Sequence, residues 1–281
     1  MSEPCLITVV TATFNAADQL PYTLASMRQQ SFRDVEWLVV DGGSADGTVE
    51  LLRENADLVN WWISEPDRGI YDAWNKACSH ARGEWLLFLG AGDELAGADT
   101  LEMCAAHLRV VGTSMTLVYG RQVLLSPQTR SVIEVFGAPW EAIRRKWEIG
   151  RPALPPHGAT FHRKALFVDA PPFDLRFPIA ADSHFLLRHI RQCPPAFIPL
   201  DVTRSPLGGV SLRLDTARKV GREIAAINRD LGLRPPFWHR LGDILRLVVI
   251  SVISALRPSV AHGIADLARR AVGKPARWTV R

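Results

Sequence analysis

In the stretch 83–95, GEWLLFLGAGDEL, an apolar run at 85–89 breaks into Gly90, Ala91 and Gly92 and ends on Asp93 and Glu94. A carboxylate at such a break can hold a divalent cation against a phosphate. Its plainer role is that of a solvated acidic turn. Three other breaks carry polar groups of the same kind. Thr11, Thr13 and Asn15 close the apolar run 6–13, Asp41 closes 35–40, and Asp67 follows 60–64. Taken singly, these are turn formers, helix caps or an Asx-turn. Taken together, one carboxylate or amide per apolar run describes a cleft with acidic groups along one rim.

The elements that must position these groups follow from the spacing. The run 85–89, bounded by glycines, reads as a strand buried on both faces of a parallel sheet. Apolar residues at Leu20, Leu24 and Met27 have helical spacing across 20–30, and helices are also expected over 49–55, with Ser44 or Asp46 as cap, and over 70–81. Strands and helices thus alternate from residue 6 to residue 89, which predicts an α/β fold with a mostly parallel, Rossmann-like central sheet. Ligands of such sheets bind beyond the carboxyl ends of the strands. No GxGxxG follows the first strand and no GxxxxGK[ST] occurs, so a dinucleotide fingerprint and a P-loop are both absent. A cation plus basic side chains is the expected way to hold phosphate.

The 281 residues, 47% hydrophobic and 22% charged, are enough for one large or two modest globular units with a sizeable core. Four cysteines, Cys5, Cys78, Cys104 and Cys193, form no CxxC pair, which argues against a zinc site or disulfide framework and for a reducing, cytoplasmic setting. A basic n-region is missing where a signal peptide would begin, and no apolar run approaches the roughly 20 residues of a spanning helix. The net charge of +4 is uneven: residues 238–281 hold eight Lys/Arg against two Asp/Glu, and the rest hold 25 against 27. Basicity belongs to the tail, so nucleic acid is not an expected partner.

At this point the residues carry a resemblance. ITVVTATFNAADQLPYTLASMRQQSF, VEWLVVDGGSADGT and ISEPDRGIYDAWNKACSHARGEWLLFLGAGDEL are similar to the N-terminal half of family 2 glycosyltransferases with the GT-A fold, and the likeness extends over about residues 5–211. It is nearest to the bacterial branch that builds exopolysaccharides, colanic-acid-like polymers and lipopolysaccharide side chains. The resemblance implies a nucleotide-sugar donor, a glycan or lipid-linked acceptor and a Mn²⁺ or Mg²⁺ cofactor. It implies that Thr11, Phe14, Asn15 and Asp41 hold base and ribose, that Asp67 and Gly69 face the nucleoside, and that Lys76 approaches the phosphates. The family's DxD metal motif falls on Ala91, Gly92 and Asp93, where the first Asp is absent and Asp93 alone remains as ligand.

In the second half, LPPHGATFHRKALF resembles an acceptor-side segment containing His157, with Gly158 in place of a usual Gln. FDLRFPIAADSHFLLRHI resembles the segment whose Asp after two alanines is the catalytic base, here Asp182, and 207–211 resembles a loop closing over the donor, with Gly209 and Ser211. A simpler role for Asp182 is as cap of a helix over 183–191. His157 and His162, and likewise His184 and His189, are five apart and lack HExxH spacing, so structural or acceptor-side roles are preferred to metal binding. The implied reaction is a single inverting displacement. The competing reading is a non-catalytic sugar-nucleotide or glycan-binding module, motivated by the missing Asp; a base at Asp182 separates the two, since a binding module needs none. A nicotinamide-dependent oxidoreductase is disfavoured by the missing glycine fingerprint.

Residues 1–212 are accordingly read as the catalytic domain and 213–281 as a helical, basic extension. A helix is expected over 213–231, with Leu214, Ala217, Ile224, Ile227 and Leu231 on one side. The uncharged run 247–256, flanked by Arg240, Arg246 and Arg257 and followed by Trp278 among basic residues, has two readings. It is either an interfacial helix on an anionic membrane surface, placing the protein peripherally at the inner face of the plasma membrane, or a helix packed on the catalytic domain.

Overall fold

The structure is a computed structural model. It describes residues 5–168, 171–209, 216–253 and 258–271, together with 273, 275, 276 and 279. Its first half is the expected alternation: β1 (Ile7–Thr13), α1 (Leu20–Arg28), β2 (Val35–Asp41), α2 (Thr48–Glu54), β3 (Trp61–Ser64), α3 (Ile70–His80) and β4 (Trp85–Phe88). These strands lie side by side in the order β3-β2-β1-β4, all parallel. The remaining elements are β5 (Glu94–Leu95), α4 (Thr100–Val110), β6 (Leu117–Leu125), β7 (Val132–Phe136), α5 (Trp140–Ile143), a β8 (Trp147–Glu148) and β9 (Arg151–Pro152) hairpin, β10 (Thr160–Arg163), α6 (Ala181–Ile190), β11 (Ala196–Pro206), α7 (Ala217–Asp230), α8 (Phe237–Ile253) and α9 (Pro258–Ala271). The sheet continues from β4 through β10, β6 and β11 to β5, with β7 on the flank of β6. Here β10 runs antiparallel to both β4 and β6, so the sheet joins a parallel half to a mixed half.

Side-chain alternation along the parallel strands builds two cores. Ile7, Val9, Trp37, Val39, Trp85 and Leu87 point to one face and pack with Leu20, Leu24, Leu52, Leu101 and Leu108 from α1, α2 and α4. Val10, Leu38, Val40, Leu86 and Phe88 point to the other and pack with Tyr71, Trp74, Ala77, Phe185 and Leu186 from α3 and α6. Burial of each such large side chain contributes about 1.5–3 kcal/mol, and this fixes the strand ends relative to one another. Val220, Ile224 and Ile227 of α7 belong to the second core, so apolar packing crosses the 212/213 boundary. Among the described residues no helix is long and apolar enough to cross a membrane.

Candidate active site

The register of the parallel strands aligns their polar ends. Thr13 lies opposite Asp41, and Asp41 opposite Ser64, so one row crosses the ends of β1, β2 and β3. Asp41 is fully buried in that row. Its Oδ1 accepts from Thr13 Oγ1 (2.9 Å) and Ser44 Oγ (2.5 Å), and its Oδ2 from Gly43 N (3.1 Å), Ser44 N (2.8 Å) and Ser64 Oγ (2.7 Å). Burial would raise its pKa, but the hydrogen bonds from Ser44, Ser64 and Thr13 outweigh it and hold the carboxyl below the usual range. Asp41 therefore sits behind the rim and shapes the loop after β2, its lone pairs spent on the protein. Thr11 is likewise fully buried and accepts from Trp37 Nε1 at 2.9 Å.

The rim itself is formed by loops. Phe14 is 65% exposed. A Cβ on Gly42 would come within 2.8 Å of Asp67 Oδ2 and 3.2 Å of Phe14 Cδ2. The loops after β1, β2 and β3 thus converge at Gly42, where a larger residue would push the Asp67 carboxylate and the Phe14 ring aside. Asn15, with φ of 47°, staples the first loop to the second: its N–H donates to Ser44 Oγ (2.7 Å) and its Oδ1 accepts from Ala45 N (3.1 Å). Asp67 Oδ1 accepts from Gly69 N at 2.8 Å, and Gly69, with φ of 112°, precedes α3. An exposed ring beside a carboxylate suits stacking and hydrogen bonding with a heterocyclic base. Lys76 pairs with Glu65 at 2.7 Å, which holds its ammonium beside the loop after β3.

Beyond β4 the chain turns through Ala91 and Gly92 (φ 93°), and Thr23 of α1 clamps the turn, accepting from Gly92 N (2.9 Å) and donating to Asp93 O (2.8 Å). Asp93 Oδ2 accepts from Gly90 N at 3.1 Å. Burial pushes its pKa up to about 6, against the pull of Ser205 and Gly90 and with Glu94 adding to the rise. The neighbouring Glu94 is taken by an ion pair with Arg130. Ser205 also accepts from Gln122 Nε2 at 2.7 Å, and that amide fills the space before Gly158, where a Cβ would lie 2.9 Å from it. Gln122 and Ser205, on β6 and β11, were invisible to sequence reasoning because nothing in their spacing marks them.

Asp182 stands in the first turn of α6 rather than at its cap, which is Ala180. Its Oδ1 accepts from Tyr71 Oη (3.0 Å) and Ser183 N (2.7 Å), while Oδ2 has no hydrogen-bond partner among the described residues. Tyr71 follows the Asp67–Gly69 rim by only two residues, so one phenol links that loop to Asp182. Ile179 O lies 2.8 Å from the same Oη and shares its one hydrogen with Asp182, and burial next to Asp182 raises the phenol pKa well above the usual value. Arg151 of the β8–β9 hairpin feels the Asp182 charge, although burial lowers its own pKa; the sequence carried no signal for it. His157 packs among Trp74, Phe88, His162 and Phe173 with neither ring nitrogen hydrogen-bonded. Burial lowers its pKa, partly offset by the Asp182 charge. Gly209 is exposed past β11, with nothing within 4 Å of a Cβ placed there; Ser211 lies outside the described residues.

Comparison with known proteins gives one consistent answer. The sequence profile described as glycosyl transferase family 2 matches residues 8–167. An uncharacterized glycosyltransferase of Mycobacterium tuberculosis is 32% identical over 248 residues, covering 88% of this chain and 86% of its own. A PGL/p-HBAD biosynthesis glycosyltransferase of Mycobacterium bovis is 34% identical over 255 residues, covering 88% and 90%. Among solved structures, Staphylococcus aureus TarS 1–349 in complex with UDP-GlcNAc superposes with a TM-score of 0.61 at 18% identity, over 79% of this chain and 66% of that one. The mannosyltransferase PcManGT from Pyrobaculum calidifontis, in complex with GDP-Man and Mn²⁺, gives 0.61 at 20% identity over 96% and 77%. A profile spanning more than half the chain, with relatives a third identical along most of their length, settles the family: the chain belongs to glycosyl transferase family 2 and is a glycosyltransferase of the GT-A fold.

Proposed function

We propose that this enzyme moves a sugar from a nucleotide-sugar donor to a hydroxyl of a glycan or lipid-linked acceptor, with inversion and with Asp182 as base, in the assembly of a cell-surface glycan. The observation that carries this reading is the state of Asp182: one carboxylate oxygen is fixed by Tyr71 and Ser183, and the other makes no hydrogen bond among the described residues. An acceptor hydroxyl is a weak nucleophile at neutral pH, and a held carboxylate with a free oxygen supplies what it lacks. Oδ2 takes the hydroxyl proton as the acceptor oxygen bonds to the anomeric carbon. The bond from that carbon to the diphosphate breaks, and its electron pair leaves with the nucleotide. Phe14 and Asp67 offer a stacking surface and a hydrogen-bond acceptor for the base, a role supported by the nucleotide sugars held by TarS and PcManGT on the same fold. The nucleotide is UDP or GDP. Catalysis resides in residues 1–212, and the extension 213–281 closes the acceptor side through α7.

The residues present fit a Mn²⁺ or Mg²⁺ ion held jointly by protein and donor. Asp93 is a raised-pKa carboxylate that no cationic side chain pairs with among the described residues, whereas Glu94 is already paired. No cluster of three or more His, Cys, Asp or Glu suited to a metal occurs among those residues, so donor phosphate oxygens would complete the coordination. Bound there, the cation would neutralise charge growing on the leaving diphosphate. Asp93→Ala is therefore expected to remove the metal-dependent part of activity, measured as initial rate against Mn²⁺ concentration. An unchanged titration would take the metal away from Asp93.

The single remaining acidic residue of the DxD position favours one other reading, a non-catalytic module that binds a sugar nucleotide. A thermal-shift panel of UDP-, GDP-, dTDP- and CMP-sugars, each with and without Mn²⁺, separates the cases, since a ligand of the folded state raises its stability by mass action. A selective shift with sugar release to acceptor supports transfer. A selective shift with no turnover under any acceptor supports the module.

A further inference from the structure

Helix α8 carries its apolar residues on the wrong side for a helix packed on a core. Phe237, Trp238, Leu241, Ile244, Leu245, Val248 and Val249 are all exposed, Phe237 by 68%, Trp238 by 76% and Ile244 by 58%. At 100° per residue they occupy one sector of about 140°. The opposite side meets the protein: Asp243 against Gly150, Leu247 against Gly221 of α7, and Ile250 buried. Exposed Arg240 and Arg246 border the apolar sector on either side, and no acidic residue falls within it. Helix α9, packed on α8, exposes Val260, Ile264 and Leu267 while burying Ala261, Ala265 and Asp266.

We infer that this face of α8 docks on an anionic lipid surface, lying in the plane of the headgroups with its apolar sector inserted. The length of α8 and its charge pattern do not allow it to span. A basic border around an uncharged apolar sector with a Trp at one end complements a negatively charged headgroup layer over acyl chains. A second copy of the chain is a poorer occupant, because a two-fold contact here would oppose two segments that each carry eight basic against two acidic residues. The opposite, protein-facing side of α8 lies close to the Asp182 region. Asp243 abuts Gly150, next to Arg151 in the Asp182 neighbourhood, and α7, on which α8 packs, holds the start of α6.

The test is co-sedimentation of the full chain, without donor, with phosphatidylcholine vesicles and with vesicles containing phosphatidylglycerol, at low and high salt. Binding to the anionic vesicles is expected, weakening with salt and falling about ten-fold or more in Ile244→Asp/Val248→Asp. Circular dichroism and the nucleotide-sugar thermal shift should not change in that variant. Should the double variant misfold, Trp238→Ser at the exposed helix start serves the same reading with a smaller expected loss. Equal binding to both vesicle types, no binding, or binding indifferent to these substitutions would overturn the inference. So would a dimer in light scattering that the double variant converts to monomer. Since the sedimentation itself uses no donor, failure there leaves the assignment of Asp182 and Asp93 standing.

Discussion

Replacing Asp182 with Asn is expected to lower kcat about a hundred- to ten-thousand-fold while the donor-induced thermal shift stays within error of wild type. The amide keeps the size of the side chain, and its oxygen can still accept from Tyr71 and Ser183, so α6 should remain in place. What disappears is the oxygen able to receive a proton. Single-turnover rates with saturating donor separate this from an acceptor-binding defect: a base shows its loss in the chemical step, whereas a residue that merely positions the acceptor shows it in KM. Near-normal turnover by Asp182→Asn would remove the base and, with it, the main reason to prefer transfer through this residue.

The second large effect is on stability. Asp41→Ala would strip the acceptor from three hydroxyls and two backbone N–H groups at the converging ends of β1, β2 and β3. Orphaned buried donors cost about 1–3 kcal/mol each before relaxation, and the hydroxyls can turn elsewhere, so a net loss of about 3 kcal/mol in urea or thermal unfolding is expected. The pH dependence has a defined sign. The folded-state pKa of Asp41 lies below its usual 3.8, so its contribution is present above that value and is lost as pH falls through the depressed folded value. The gap between wild type and Asp41→Ala should therefore be widest near neutrality and shrink in acid. A gap constant down to strongly acid pH would mean that the charge of Asp41 is not what organises the loop.

These two aspartates show what the sequence made legible. Each parallel strand is an apolar run that ends abruptly in polar residues, and because the strands are parallel their ends fall on one edge, so Asp41, Asp67 and Asp93 could be placed together from sequence. Depth at that edge was not legible. Asp41 lies behind the rim because cross-strand register sets it against Thr13 and Ser64, and Thr11 because the Trp37 indole reaches across to it, which no pattern within one strand reveals. Lys76 faced phosphates in the sequence reading, but a carboxylate eleven residues earlier, Glu65, holds it. The mixed half of the sheet was harder still. In β6 the apolar pattern is interrupted by Gly120, Arg121 and Gln122, and the partners that matter, Gln122 to Ser205 and Tyr71 to Asp182, are 83 and 111 residues apart.

Glu223 of α7 ties the structure together in time as well as in space. Its Oε2 accepts from the N–H groups of Ile179 and Ala180, at 2.9 Å each, just where the chain enters α6. A chain emerging amino-terminus first holds β1 to β4 and α1 to α3 within its first hundred residues, while one face of those strands still awaits α6 and α7. The turn that carries Asp182 must wait for a glutamate 41 positions later before its amides are satisfied. On the proposed assignment, the groups offered to the donor would thus be synthesised before the base is fixed. On that assignment, a nascent or truncated chain lacking α7 is expected to leave the turn before Asp182 without the acceptor of its two amides.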